Sequence, residues 1–160
     1  SCIAGTGLFT FIPDYNFRAE LHLSYSVSDW YDTDNGEIVG VVAGKWCLTS
    51  DINTVTNLDI SSSDISDLTG IEDFTALTEL RCYYNQLTSL DVSANTVLDT
   101  LECNDNNLTS LDVRNGNNTA FTNFISTSNP NLYCISVDDP VYSAANWTNI
   151  DAQHYFAANC

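Results

Sequence analysis

The stretch LTELRCYYNQLTSLDVSANTVL (77–98) runs straight into LDTLECNDNNLTSLDV (98–113), and the two superpose with a shift of twenty-one residues. Leu80 falls on Leu101, Cys82 on Cys103, Leu87 on Leu108, Leu90 on Leu111 and Val92 on Val113. Upstream, VTNLDISSSDISDLTGI (55–71) keeps the same order after a shift of twenty-two, with Leu58, Ile60, Ser63, Ile65 and Leu68 at the equivalent places. Downstream, FTNFISTSNPNL (121–132) repeats it more loosely after twenty-three, through Phe124, Ser126 and Asn129. A unit this short cannot bury its own apolar face. Stacked copies can, and about four of them meet the minimum of roughly three that a continuous core requires.

The order within the unit fixes its shape. Alternation at Leu80 and Cys82, and again at Leu101 and Cys103, predicts short strands with one face inward, stacking into a parallel sheet. Asn85 and Asn106 fall where the chain leaves the strand, so an inward amide there bonds the backbone groups that the turn leaves unpaired. LDVSAN (90–95) reads as a second strand on the opposite side of each coil, and twenty-one residues leave little room for a helix behind the sheet. The expected fold is mainly β with a short N-terminal helix: a solenoid of about four coils, capped at both ends.

This pattern resembles the leucine-rich repeats, in particular the short nested kind of secreted Bacteroidota proteins, over roughly residues 51–160. The resemblance implies a secreted or surface-displayed binding domain, attached to other modules. It divides the chain into an N-terminal cap (1–50), repeats (51–128) and a C-terminal cap (129–160). In the first cap, FIPDYNFRAELHL (11–23) places Pro13 and Asp14 before Phe17 and Leu21, which predicts a short helix covering the first coil. Residues 24–48 depart from the family pattern. Their alternation around Asn35-Gly36 predicts an inserted β-hairpin, centred on 24–43.

Composition narrows the partners. Four Lys plus Arg against twenty-one Asp plus Glu gives a formal charge of −17. That charge repels nucleic-acid phosphates and anionic headgroups, and no run is long and apolar enough to insert into a bilayer. The N-terminus lacks the basic-then-apolar pattern of a signal peptide, so the chain reads as an already processed, extracellular product. Cys82 and Cys103 share one repeat position and read as buried thiols. Cys2, Cys47, Cys134 and Cys160 lie towards the ends and read as two disulfides. Three pairings are open to four cysteines; proximity along the chain favours Cys2 with Cys47 and Cys134 with Cys160. A zinc framework would need clustered ligands, and there is no Cys-x-x-Cys.

Two surfaces are candidates for binding. The strand register puts Asn57, Asp59, Ser61 and Ser62 in one outward row, then Glu79, Arg81, Tyr83 and Tyr84, then Thr100, Glu102, Asn104 and Asp105, then Asn123, Ile125, Thr127 and Ser128. Tyr83 and Tyr84 offer flat amphipathic area beside Arg81, Glu79, Glu102 and Asn104, a set suited to a protein or glycan. A structural role for Arg81, neutralising Glu79 and Glu102, competes with this reading. The second surface is DWYDTDNGE, where Asp29, Asp32 and Asp34 are a calcium candidate and Trp30 and Tyr31 a sugar-contact candidate. Its spacing matches an EF-hand only in part, and Asp-Asn-Gly is turn chemistry. Apart from that calcium candidate no cofactor is expected. No nucleophile-and-base set or phosphate loop points to an enzyme, since His22 and His154 fall in opposite caps. Two functions remain: an extracellular recognition or adhesion module, or a structural spacer that assembles with its own kind.

Overall fold

The computed structural model describes residues 8–27 and 46–160. In chain order the elements are β1 (Phe9–Phe11), α1 (Tyr15–Ser24), β2 (Trp46–Leu48), α2 (Thr49–Ile52), β3 (Asn57–Asp59), β4 (Glu79–Arg81), β5 (Ser89–Asp91), β6 (Thr100–Glu102), β7 (Ser110–Asp112), β8 (Asn123–Ile125), β9 (Cys134–Ser136), α3 (Pro140–Asn146) and β10 (Tyr155–Ala157). They form a leucine-rich-repeat solenoid. One parallel sheet runs β3-β4-β6-β8, and a second, on the other side of the coils, runs β10-β9-β7-β5.

The register follows the repeat. Leu58 lies beside Leu80, Leu80 beside Leu101, and Leu101 beside Phe124. On the opposite side Leu90 lies beside Leu111 and Leu111 beside Ile135. These columns, with Ile60, Cys82, Cys103, Leu87, Leu108, Val92, Val113 and Val137, form one buried core. Burial pushes the Cys103 thiol up to about 12, and burial with the neighbouring Cys103 raises Cys82 well above its ordinary value. Both therefore act as small apolar side chains.

The inward asparagines do what an unpaired turn requires. Asn85 donates to the carbonyls of Ile60 (2.8 Å) and Cys82 (3.1 Å), while its Oδ1 accepts the Ile65 N–H at 2.9 Å. Asn106 donates to Cys82 (2.9 Å) and Cys103 (3.2 Å) and accepts from Leu87 at 3.0 Å. Asn129 donates to Cys103 (3.1 Å) and Ser126 (3.0 Å) and accepts from Leu108 at 3.1 Å. Each amide thus ties its own coil to the one before it. A second column runs on the other side, where Asn95 donates to Ile71 (2.8 Å) and Asn115 to Asn95 (3.1 Å) and Leu98 (3.2 Å).

The N-terminal cap contains the expected helix, over Tyr15–Ser24, started by Asp14 accepting the Phe17 N–H at 3.0 Å. Phe17 and Leu21 are its buried apolar face, and the Phe17 ring lies 6.1 Å from that of Phe74 in the first coil. The predicted hairpin needs revision at its end. Trp46–Leu48 pairs antiparallel with Phe9–Phe11, a partner thirty-odd residues away that local alternation cannot reveal. The remainder, residues 28–45, lies outside the described residues. Gly70 (φ +102°) closes the cap against the repeats, because a Cβ there would meet the Phe11 carbonyl oxygen at 2.8 Å and the Ile12 side chain at 2.9 Å.

The cysteines divide differently from expectation at the N-terminal end. Cys134 and Cys160 are bonded, across a separation of 26 residues. Cys47 is a free buried thiol, and Cys2 lies outside the described residues. Cys47 is the central residue of β2, packed into the core, where burial pushes it up to about 12. The expected Cys2–Cys47 staple is therefore corrected.

Candidate functional site

Of the six ladder residues of the sequence reading, Glu79, Arg81 and Glu102 lie on the outer face of the β3-β4-β6-β8 sheet, and Tyr83, Tyr84 and Asn104 follow just past the ends of β4 and β6. Asn57, Glu79, Thr100 and Asn123 align in one row, and Asp59, Arg81, Glu102 and Ile125 in the next. Their side chains join into a strip. Asn57 donates to Glu79, Arg81 pairs with Glu79 on its own strand and approaches Glu102 at 3.6 Å across the sheet, and Asn123 donates to Glu102 at 2.8 Å. Glu79 and Glu102 keep only 19% and 18% of their side-chain surface exposed, against 37% for Arg81. The strip is thus largely self-satisfied. Its lone cation neutralises two carboxylates that would otherwise repel across adjacent strands.

Beyond the strands the face changes character. Ser62, Tyr84, Asp105 and Ser128 occupy one place in successive coils, and all four are left-handed, with φ of 57°, 53°, 53° and 60°. The turn imposes that conformation, because it carries the inter-coil hydrogen bonds past the strands: Ser62 N–H to the Tyr83 carbonyl at 3.0 Å, Tyr84 to Asn104 at 3.2 Å and Asp105 to Thr127 at 3.0 Å. Tyr84 is the costliest occupant of the row, since a bulky Cβ-bearing residue is disfavoured there while Asp is tolerated. It is also 60% exposed, and its ring meets that of Tyr83 edge-on at 5.7 Å and 77°. Asn104 is held beside them by donating to Asp105 at 2.7 Å. Tyr84 therefore rises between two short neighbours, Ser62 and Asp105.

The other candidates lie elsewhere. Asp29, Asp32 and Asp34, with Trp30 and Tyr31, fall outside the described residues. The C-terminal cap holds a cluster that sequence reading missed. His154 Nδ1 accepts the Asp151 N–H at 3.3 Å and faces Ser126 Oγ at 3.4 Å, while its Nε2 lies 3.4 Å from Asp151 Oδ2. These are the residue types of a nucleophile, base and carboxylate. Ser126 is fully buried and the His154 side chain is sealed from solvent, so no substrate reaches the hydroxyl. The set is a bracket. Asp151 accepts the N–H groups of Ser128 (2.9 Å) and Asn129 (2.8 Å), where a fifth coil would have supplied a carbonyl. Ser126 could be read in the sequence as a repeat position, but its cap partners sit outside the period and carried no signal.

No protein-family model matches the chain. A stretch of 76 residues, 44% of the chain, is 44% identical to internalin J of Listeria monocytogenes serotype 4b, of which it spans 8%. The solved functional domain of InlJ from Listeria monocytogenes, described as including a cysteine ladder, superposes over 88% of this chain and 37% of its own, with a TM-score of 0.50 and 25% identity. A Listeria monocytogenes internalin, InlF, aligns over 91% of this chain and 56% of its own at 17% identity and a TM-score of 0.36. The chain thus spans 8% of internalin J and 37% of the solved InlJ domain. Among the described residues no helix is long and apolar enough to cross a membrane.

Proposed function

We propose that this chain is a recognition or adhesion module at the cell exterior, taking a protein partner on the outer face of its repeat sheet. Tyr83 and Tyr84 are the contact anchors, Asn104 the adjoining polar contact, and the Glu79–Arg81–Glu102 strip the pre-ordered floor beside them. The observation that carries this reading is Tyr84: a large ring is held at φ 53° with 60% of its surface in water, and its ring contact is an edge-on one with the adjacent Tyr83. Backbone strain retained at an exposed aromatic is what a contact residue would justify. The likeness to internalins, surface leucine-rich-repeat proteins, supports the same reading. Self-assembly through the sheet edge is opposed at the first coil, where the Tyr25 hydroxyl takes the Asp59 N–H at 2.6 Å and so occupies an edge donor.

The test is a screen of arrayed surface proteins against the folded chain, run beside Tyr83→Ala/Tyr84→Ala. Loss of both rings should lower affinity for any hit by more than about tenfold, with the unfolding transition unchanged. Equal binding by the variant moves the site off this face. A blank array together with oligomers in light scattering favours the spacer.

A further inference from the structure

A second surface, at the C-terminal end, has the chemistry of a different ligand. Ser128, Pro130, Tyr133, Asp151 and Gln153 line an open depression of about 400 Å³. Its floor is fixed. Asp151 is pinned by the Ser128 and Asn129 N–H groups, and the Gln153 amide donates to the Asn129 carbonyl at 3.3 Å and to Asp151 at 3.5 Å. Asn129 is in turn locked by its buried amide bonds to Cys103 and Ser126. Strand β9 begins directly after Tyr133, at the bridged Cys134.

The walls are not spent in the same way. The Ser128 hydroxyl, the Tyr133 hydroxyl and the Gln153 carbonyl oxygen make no hydrogen bond within the described residues, and Asp151 Oδ1 accepts one N–H where a carboxylate oxygen can accept two. Tyr133 is 59% exposed and brings a flat ring beside the rigid Pro130. The depression therefore presents two hydroxyls able to donate or accept, two spare acceptor oxygens and two apolar faces, with no cation. Such a set suits a molecule rich in hydroxyl donors that also has a C–H face. An anion meets Asp151 and an overall charge of −17 with nothing to offset them. A Lys or Arg side chain of a protein would find one carboxylate already engaged by backbone N–H groups, and no deep apolar hole for its stem. The volume is at the lower end of what ligand sites span, and the open wall leaves room for a chain to continue outwards.

We infer that this depression is a subsite for a neutral saccharide, with Tyr133 stacking on the sugar's C–H face and Ser128, Asp151 and Gln153 taking its hydroxyls. The site shares Ser128 with the left-handed row but lies two coils beyond Tyr84, and it needs no protein partner. Titration of the ¹⁵N-labelled chain with lactose, maltose, cellobiose and N,N′-diacetylchitobiose, and with sialyllactose as the anionic probe, reads it directly. At least one neutral disaccharide should shift the amide signals of Ser128, Tyr133, Asp151 and Gln153, with half-saturation near about 10 mM or below. Tyr133→Ala and Gln153→Ala should each weaken that binding about tenfold, while Val141→Ala, on exposed α3, leaves it unchanged. Both variants are checked for a native amide spectrum first. If none of the four sugars moves these signals, if the shifts map elsewhere, or if a lysine-rich peptide moves them and the sugars do not, the inference is wrong.

Discussion

Asp14 and Asp151 stand at opposite ends of the solenoid, and each accepts N–H groups from the coil beside it. Within the repeats, the Thr109 N–H reaches the Thr88 carbonyl of the coil before it at 2.9 Å. The first coil has no such neighbour, and Asp14 Oδ2 accepts the equivalent Ser66 N–H at 2.9 Å, the Asp67 N–H at 3.2 Å and the Ser66 hydroxyl at 2.9 Å. Asp151 does the same for the last coil. A carboxylate thus replaces the missing coil's carbonyl at either end, which is what unpaired backbone donors demand. The ends differ in what backs the carboxylate. At the N-terminal side it is helix α1 and the Phe17–Phe74 contact, with Cys47 left as a thiol. At the C-terminal side Trp147 stacks on Phe124 at 4.2 Å, between Phe121 and Phe156, and Cys134–Cys160 closes the cap covalently. Hydrogen-bond replacement is thus common to both ends, and the cross-link is an addition to it.

The largest expected effect removes that addition. Closing a loop of 26 residues is worth about 3.5 kcal/mol through the unfolded chain. Cys134→Ser/Cys160→Ser should lower Tm by roughly 10 °C in a chain of this size. Hydrogen exchange should quicken first at β10 and α3 and leave the Asp14 contacts protected. A shift of only about 2 °C would mean that the aromatic cluster holds this end unaided.

The contrast between repeats and caps also sets what the sequence could reveal. In the repeats each column is stated several times: Leu80 and Leu101, Cys82 and Cys103, Asn85 and Asn106. Agreement among copies therefore located both sheets and the outward rows, with Tyr83 and Tyr84 on one face. The caps state each feature once. Asp14 was readable because helix starts have a local signature, but nothing local links Phe9–Phe11 to Trp46–Leu48, or Asp151 to Ser128. The second asparagine column was hidden for a related reason: Asn115 follows Asn95 by twenty residues, out of step with the shift of twenty-one between their coils. The saccharide depression is assembled from the last repeat turn and the cap together, so no single segment announces it.

A smaller effect tests the N-terminal end. Asp14→Ala removes the helix start and the contacts to Ser66 and Asp67 and should cost about 1–2 kcal/mol at neutral pH. Burial works against the Asp14 carboxylate, but hydrogen bonds from Ser66, Phe17 and Asn16 outweigh it and hold its pKa below the usual value. A depressed folded pKa means that the stabilisation is complete above the unfolded carboxyl value, near about 3.9, and is lost as pH falls through the folded value. Urea midpoints of wild type and Asp14→Ala should therefore differ at pH 7 and converge in acid. A gap that stays constant with pH would show that Asp14 acts through shape and not through its charge.

The smallest expected change in stability lies between the two ends and separates fold from function most sharply. The left-handed row begins and ends in serine, at Ser62 by one cap and Ser128 by the other, so the turn itself has no need of an aromatic ring. Tyr84→Asn places there a residue that tolerates positive φ and should stabilise the chain by about 0.5 kcal/mol, once the lost edge contact with Tyr83 is set against the relieved backbone. The urea midpoint should rise slightly with unchanged slope, while affinity for a protein partner found on this face falls by more than about tenfold. Asp105→Asn, the next residue in the row, should move neither, because Asp already accepts this conformation. A destabilised Tyr84→Asn would mean that the ring supports Tyr83 and the turn more than it burdens them, and the case for Tyr84 as an anchor kept against its backbone cost would fail.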